Sequence, residues 1–247
     1  MSQEIVLYNV LDQVATITLN RPHVKNALDT DMHAALYRAF DEANRDESVK
    51  VIVLEGSDGA FSAGADLKSI ATEEVGSLDY GYYLRETYNK LILQMMNIKK
   101  PIVAHINGIA VGAGLSIALA CDYRVAAREA KLGLGFMKIG LVPDAGASYF
   151  LPRLVGLGKA TELALGEIIS AEEAERINLI NQVGTPEKLV EHLKSVSLVA
   201  FGLMKKNFRE GFSQSLADVL ETEVETQRIA GATKEHKQAV MQFVNRG

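Results

Sequence analysis

The chain has 247 residues, 48% of them apolar, and a formal net charge of −5. The apolar share suffices for a sizeable core, and the acidic balance excludes an electrostatic footprint for nucleic acid, leaving only local basic spots for a small polyphosphate. One cysteine, Cys121 in the run IALACD, excludes an internal disulfide and reads as a small buried hydrophobe. The opening MSQEIVLYNV has no basic region followed by an apolar run, so no secretory leader is expected. No apolar run approaches the roughly 18 residues of a membrane span, and a cytoplasmic protein is the expectation.

Residues 4–19 hold two β-rich runs around Leu11-Asp12-Gln13, which predicts a hairpin. Asn20-Arg21-Pro22 ends it. Asp29 or Thr30 can N-cap a helix running through ALYRAFDEANRD. A short buried strand is expected over 49–55, then a loop of Gly, Ser and Ala over 56–64. Residues 80–98 predict one long helix, stopped by Pro101. Strand, small-residue helix and strand follow over 102–106, 112–121 and 123–126. This alternation argues for an α/β class. Beyond Pro143 helical spacing recurs over 156–166, 171–177, 186–206 and 215–244. The last stretch mixes apolar positions with many charges, so one face suits solvent and the other suits its own body or a partner subunit. The expected division is a core over 1–200 and a helical oligomerisation region over 201–247.

Two glycine-rich turns, FSAGADL and NGIAVGAG, each follow a short strand and precede a helical pattern. Their small residues leave backbone N–H groups unobstructed. Two such groups aimed at one point make an oxyanion hole, and a helix starting near Ala113 adds its positive end. The other reading is ordinary turns with glycine for geometry. Neither matches a P-loop or a dinucleotide fingerprint. Asp144 lies among Leu141, Val142, Pro143, Ala145 and Gly146. Apolar burial would raise its pKa and make it a base toward an acidified C–H; alternatively it N-caps the following helix. His105 reads as a core histidine and Asp122 as a turn residue. Tyr80, Tyr82, Tyr83 and Tyr88 share a presumed helix, where they pack or line a pocket. No cluster has metal-ligand spacing.

The runs LNRPHVKNAL, FSAGADL, NGIAVGAG, ALACDYRVAA, GLVPDAGASYFLPRLVG and SAEEAERINLINQV together resemble the enoyl-CoA hydratase/isomerase (crotonase) superfamily. The resemblance implies a crotonase (ClpP-like) α/β spiral of ββα repeats with a helical C-terminal region. It implies trimers, often paired into hexamers. It also implies an acyl-CoA thioester substrate and no metal or redox cofactor, coenzyme A entering as part of the substrate. By position, the thioester enolate would be held by the N–H groups of Ala65 and Ala113. Coenzyme A would lie along Lys25, Ala27 and Leu28 and along Ala63, Gly64, Asp66, Leu67 and Lys68. Lys25 and Lys68 are then phosphate partners, or else solvated surface charges.

The chain departs from the hydratase pattern. The positions where hydratases carry two glutamates fall, by this resemblance, on Ser116 and Phe136. Asp144 stands where hydratases usually have glycine. Members with an acid there resemble epoxide-type acyl-CoA isomerases and Δ3,Δ2-enoyl-CoA isomerases. A benzoyl-CoA dehalogenase also has an aspartate there, but pairs it with a tryptophan at the Phe136 position, and this chain has no tryptophan. The resulting expectation is an isomerase of fatty acid or related acyl-CoA metabolism, with Asp144 as its single acid/base. Phe136 and Tyr149 would wall the acyl pocket, with Ser116 beside it. The rivals are a hydratase, lyase or decarboxylase of the same fold, and a protein that binds acyl-CoA without catalysis.

Overall fold

The computed structural model describes residues 4–70 and 79–245. The chain opens with an antiparallel hairpin, β1 (Val6–Leu11) and β2 (Val14–Leu19). Its two-residue turn is Asp12-Gln13, both in the left-handed region that suits the twist of a hairpin. Helix α1 (Thr30–Arg45) begins at Asp29, whose carboxylate accepts the Met32 N–H at 2.8 Å. Met32, Leu36, Ala39, Phe40 and Ala43 recur at helical spacing and are buried, which seats α1 on the sheet.

Three strand pairs then repeat one move. β3 (Val51–Gly56) leads to β4 (Ala60–Ser62), and α2 (Leu67–Ile70), α3 (Tyr80–Glu86) and α4 (Tyr88–Asn97) follow. β5 (Ile102–Ile106) leads to β6 (Ile109–Val111) and α5 (Ala113–Ala120). β7 (Tyr123–Ala126) leads to β8 (Lys131–Gly133), a short 3-10 turn at Phe136–Ile139 and α6 (Ala147–Ala164). The first strand of each pair joins a large sheet and the second a small one. With β9 (Ile168–Ser170), α7 (Ala171–Arg176) and β10 (Gln182–Val183), the orders are β1-β2-β3-β5-β7-β10 and β4-β6-β8-β9. Apart from β1/β2 and β8/β9 every pairing is parallel. Parallel strands buried on both faces read as continuous apolar runs, as in β3 and β5. This is the spiral of ββα units expected from the resemblance.

The long helix expected over 80–98 is two helices. Thr87 leaves helical geometry (φ −116°, ψ −88°) and its hydroxyl donates to Tyr83 O at 2.6 Å. The helix expected to begin at 156 begins at Ala147, and Gly156 (φ 76°) kinks it. The span expected over 186–206 divides into α8 (Glu187–Lys194) and α9 (Leu198–Glu210). That over 215–244 divides into α10 (Leu216–Gly231) and α11 (Lys234–Val244).

Residue 200 falls inside α9, which is tied to the body. Lys205 Nζ donates to Ile98 O at 2.9 Å and to Asp122 Oδ2 at 2.7 Å, and Asp122 Oδ2 also accepts the Ile102 N–H at 2.8 Å. Beyond α9 large apolar side chains lie open, among them Phe212, Leu216, Leu220, Met241 and Phe243. Among the described residues no helix is long and apolar enough to cross a membrane.

Candidate functional site

β4 and β6 are parallel neighbours, with Ala60 opposite Ile109 and Ser62 opposite Ala110. The two glycine-rich turns therefore leave the small sheet at the same edge and touch. A Cβ on Gly64 would stand 2.7 Å from Val111 O and 3.4 Å from Ala113 N, and Gly64 has φ +88°. Only glycine lets the first turn press this closely on the second. Ala113 opens α5, so its N–H has no intrahelical acceptor. Among the described residues neither the Ala65 nor the Ala113 N–H meets a backbone acceptor.

Buried polar groups hold the first turn. Asn26 is fully buried and donates to Ser57 O and Ala60 O at 3.1 and 2.7 Å, while its own carbonyl accepts Ser62 Oγ at 2.8 Å. Ser62 Oγ in turn accepts the Gly64 N–H at 3.2 Å. Arg21 Nη1 donates to Ala27 O at 2.7 Å, and Nη2 lies 3.0 Å from both Asp29 Oδ2 and Asp66 Oδ2. Burial would push the Asp66 carboxyl up. The Arg21 guanidinium and the N–H groups of Ser69 and Lys68 outweigh burial and hold it below its ordinary value.

The segment 25–28 runs beside 63–66. Ala63 N–H donates to Lys25 O at 2.9 Å, Leu28 N–H to Gly64 O at 2.8 Å and Asp66 N–H to Leu28 O at 2.9 Å. The two strips expected to share one ligand thus form one surface. Their side chains divide unevenly. Lys25, Leu67 and Lys68 are exposed and Ala63 is half-buried, but Ala27 and Leu28 are core residues and the Asp66 carboxylate is bound to Arg21.

Asp144 lies on the turn before α6. Its neighbours Ala145 (φ +50°) and Gly146 (φ +84°) are both left-handed, which glycine adopts freely but which strains Ala145, a geometry concentrated at functional sites. A Cβ on Gly146 would stand 2.7 Å from Phe150 Cε2. The N-cap of α6 is Gly146 with no side-chain cap, and the contact Asp144 makes with the helix start is through its main-chain carbonyl, which accepts the Ala147 N–H at 2.9 Å, so the capping alternative for its carboxylate fails. Asp144 Oδ1 is buried with no hydrogen-bond partner, and burial pushes the carboxyl from 3.8 up to about 6.

The enoyl-CoA hydratase/isomerase family model matches residues 10–247. The chain belongs to the enoyl-CoA hydratase/isomerase family. It is 34% identical to a 1,2-epoxyphenylacetyl-CoA isomerase of Escherichia coli strain K12, over 98% of this chain and 95% of that protein. It is 30% identical to a crotonyl-CoA hydratase of Syntrophomonas wolfei, over 100% of this chain and 97% of that protein. Its fold matches the crystal structure of an enoyl-CoA hydratase from Bacillus anthracis with a TM-score of 0.87 at 30% identity, covering 98% and 97% of the two chains.

At the two positions assigned to hydratase glutamates, this family member has side chains without free proton chemistry. Ser116 is fully buried, and its Oγ donates to Gly112 O at 3.2 Å. The Phe136 ring is buried against the second turn, its Cζ 4.0 Å from where a Gly112 Cβ would stand. Leu141 N–H donates to Phe136 O at 3.0 Å, tying this segment to the Asp144 turn.

The cavity that Tyr149 lines does not include Phe136. Tyr149 lies under the Arg153 guanidinium, 3.7 Å from the ring centroid, and lines a cavity of about 380 Å³ with Phe208 and Phe212. Its neighbour Phe150 lines the same cavity, its ring 5.2 Å from that of Tyr149, and also packs toward Gly146. His105 Nδ1 pairs with Glu55 Oε2 at 3.1 Å, and Cys121 is buried with its thiol pushed up to about 12. Tyr80 and Tyr82 are exposed, Tyr83 is half-buried and Tyr88 is buried.

Sequence reasoning missed Arg21, Asn26 and His33. The first two sit in the run NRPHVKNAL, where a buried Asn beside a break was the available signal. His33 lies on the apolar face of α1, in register with Leu36 and Phe40. Among the described residues no group of three His, Cys, Asp or Glu is placed to hold a metal ion.

Proposed function

We propose that the protein is an enoyl-CoA isomerase that moves a double bond with Asp144 as its single acid/base. The observation that carries this reading is the lone, partnerless Asp144 carboxyl, raised to about 6, in a family member with Ser116 and Phe136 at the other two positions. At pH 7 a group of that pKa is about nine-tenths ionised, and so ready as a base while stronger than an ordinary carboxylate.

The Asp144 carboxylate takes the proton from C2 of a 3-enoyl thioester. The electron pair spreads over the thioester carbonyl and the C3=C4 bond, and the N–H groups of Ala65 and Ala113 stabilise the enolate oxygen. Each such donor contributes about 2.7–4 kcal/mol. The same carboxyl returns the proton to C4, leaving C2=C3. Hydration in the usual manner of the family wants two groups to orient and split water, and one is present. Coenzyme A would lie along the strip joining 25–28 to 63–68, with Lys25 and Lys68 free to meet its phosphates. The epoxyphenylacetyl-CoA isomerase among the relatives supports isomerisation; the crotonyl-CoA hydratase keeps hydration as the second reading.

Incubation of a 3-enoyl-CoA in D₂O tests the two. Deuterium entering C2 or C4 with the double bond moved, and both lost in Asp144→Asn, supports the isomerase. Efficient hydration that persists in Asp144→Asn overturns it.

We also propose a trimer, or a hexamer of two trimers, with 201–247 as the oligomerisation region. The support is the open apolar side chains of Phe212, Leu216, Leu220 and Phe243, which need a cover. Light scattering should give about three or six times 26.9 kDa; a monomer alone sinks the idea.

A further inference from the structure

Among the described residues eight buried side-chain N or O atoms meet no hydrogen-bond partner, and five of them belong to His33, Tyr83, Tyr88 and Asp144. These residues come from α1, α3, α4 and the turn before α6. The His33 ring lies edge-on to Tyr88 at 4.1 Å and to Tyr83 at 6.4 Å, and the tyrosine rings are 6.1 Å apart. The Asp144 charge reaches both tyrosines, and that of Asp66, next to Ala65, reaches Tyr83. The Thr30 side chain sits beside Tyr83 without meeting hydrogen-bond geometry.

Burial pushes His33 down to about 4, so it is neutral at pH 7, with one donor and one acceptor nitrogen. Both are unspent, as are the two phenol hydroxyls. Each buried polar atom left unpaired costs about 1–3 kcal/mol, and folded proteins keep few of them. Here five gather in one region, two of them on the tyrosines that the Asp144 charge reaches. A hydrocarbon acyl chain would leave every one unpaired. An oxygen on the acyl group would pair with the hydroxyls and the imidazole.

We infer that His33, Tyr83 and Tyr88 form a recognition site for an oxygen-bearing acyl group, so that the preferred substrates are oxygenated acyl-CoA thioesters with a hydroxyl, ether or epoxide oxygen on C4 or farther along the chain. This rests on the acyl-CoA reading above and names the substrate class within it.

Titration calorimetry of the full chain with hexanoyl-CoA and its 4-, 5- and 6-hydroxy derivatives tests it. These saturated thioesters undergo no double-bond shift, so the measurement does not depend on isomerase activity. At least one hydroxy derivative should bind about 10-fold more tightly than hexanoyl-CoA, the worth of one buried hydrogen bond. In Tyr83→Phe/Tyr88→Phe that ratio should fall to near 1. Each change deletes an unpartnered hydroxyl and keeps the ring, so the melting temperature should hold or rise, and lost preference cannot be read as unfolding. Hexanoyl-CoA binding as tightly as all three hydroxy derivatives overturns the inference, since water then fills the site; so does a preference that survives in the double variant. If none of the four binds, the acyl-CoA reading itself falls. If all bind equally while deuterium incorporation depends on Asp144, only this inference falls.

Discussion

Asp144→Asn should make the protein more stable at neutral pH while removing its turnover. The fold holds this carboxyl about two units above its ordinary 3.8 by desolvation alone. Two units correspond to about 3 kcal/mol in a dry site. The group is half-buried, and solvent screening reduces that to roughly 1–2 kcal/mol. The sign follows from linkage. Below about pH 3 the carboxyl is neutral in folded and unfolded chains alike and costs nothing. Between about 4 and 6 the unfolded chain releases its proton while the folded chain keeps it, so the folded state loses stability as pH rises. Above 6 the full penalty remains. Asparagine carries no charge, so its gain should be present at pH 7.5 and nearly gone at pH 3. For a chain of this size the gain amounts to roughly 2–8 °C in melting temperature, toward the low end because the amide also lacks a partner.

Calorimetric melts at the two pH values measure the stability difference. Turnover should fall by about 10²–10⁴, and the wild-type kcat/KM should rise with pH through a limb near 6. A variant that melts lower than wild type at pH 7.5, or gains equally at both pH values, refutes the claim that a desolvated carboxylate sits here.

Two further substitutions probe the frame around it. Gly64→Ala places a methyl 2.7 Å from Val111 O at φ +88°, and so should part the two turns; kcat should fall by about 10²–10³, the loss of one oxyanion donor, and an unchanged kcat would detach Ala65 and Ala113 from the chemistry. Lys205→Met leaves the buried Asp122 carboxylate without its cation, and urea denaturation should record a loss of about 3–5 kcal/mol. Burial pushes Asp122 up and Lys205 down, each opposed by the other's charge. A loss below about 1 kcal/mol would make the pair ornamental.

Local signals were readable wherever one element decides its own form. The Asp12-Gln13 hairpin, the Asp29 cap of α1 and the apolar runs of β3 and β5 follow from turn chemistry, capping and burial within a few residues. Asp144 was visible as an acid out of place. The break at Thr87 was not, because the apolar spacing of 80–98 continues through it while a side-chain hydroxyl diverts the backbone. Tyr149 and Phe150 are adjacent aromatics in sequence, and only the fold shows that both line one cavity with Phe208 and Phe212 while Phe150 also packs toward Gly146.

The motifs and their order carried the resemblance to the enoyl-CoA hydratase/isomerase family, and with it the α/β spiral; they also singled out Asp144, Ser116 and Phe136 as candidate positions. The tertiary structure decided that the two glycine-rich turns touch, since parallel pairing of β4 with β6 joins segments about fifty residues apart. It alone decided that the Asp144 carboxylate does not cap α6, because Gly146 takes the N-cap position and Asp144 Oδ1 is buried without a partner. It also brought His33 of α1 against Tyr83 and Tyr88, fifty residues on. Periodicity records which face of an element is buried, but not what lies across from it; that depends on how distant faces meet when the apolar surface closes.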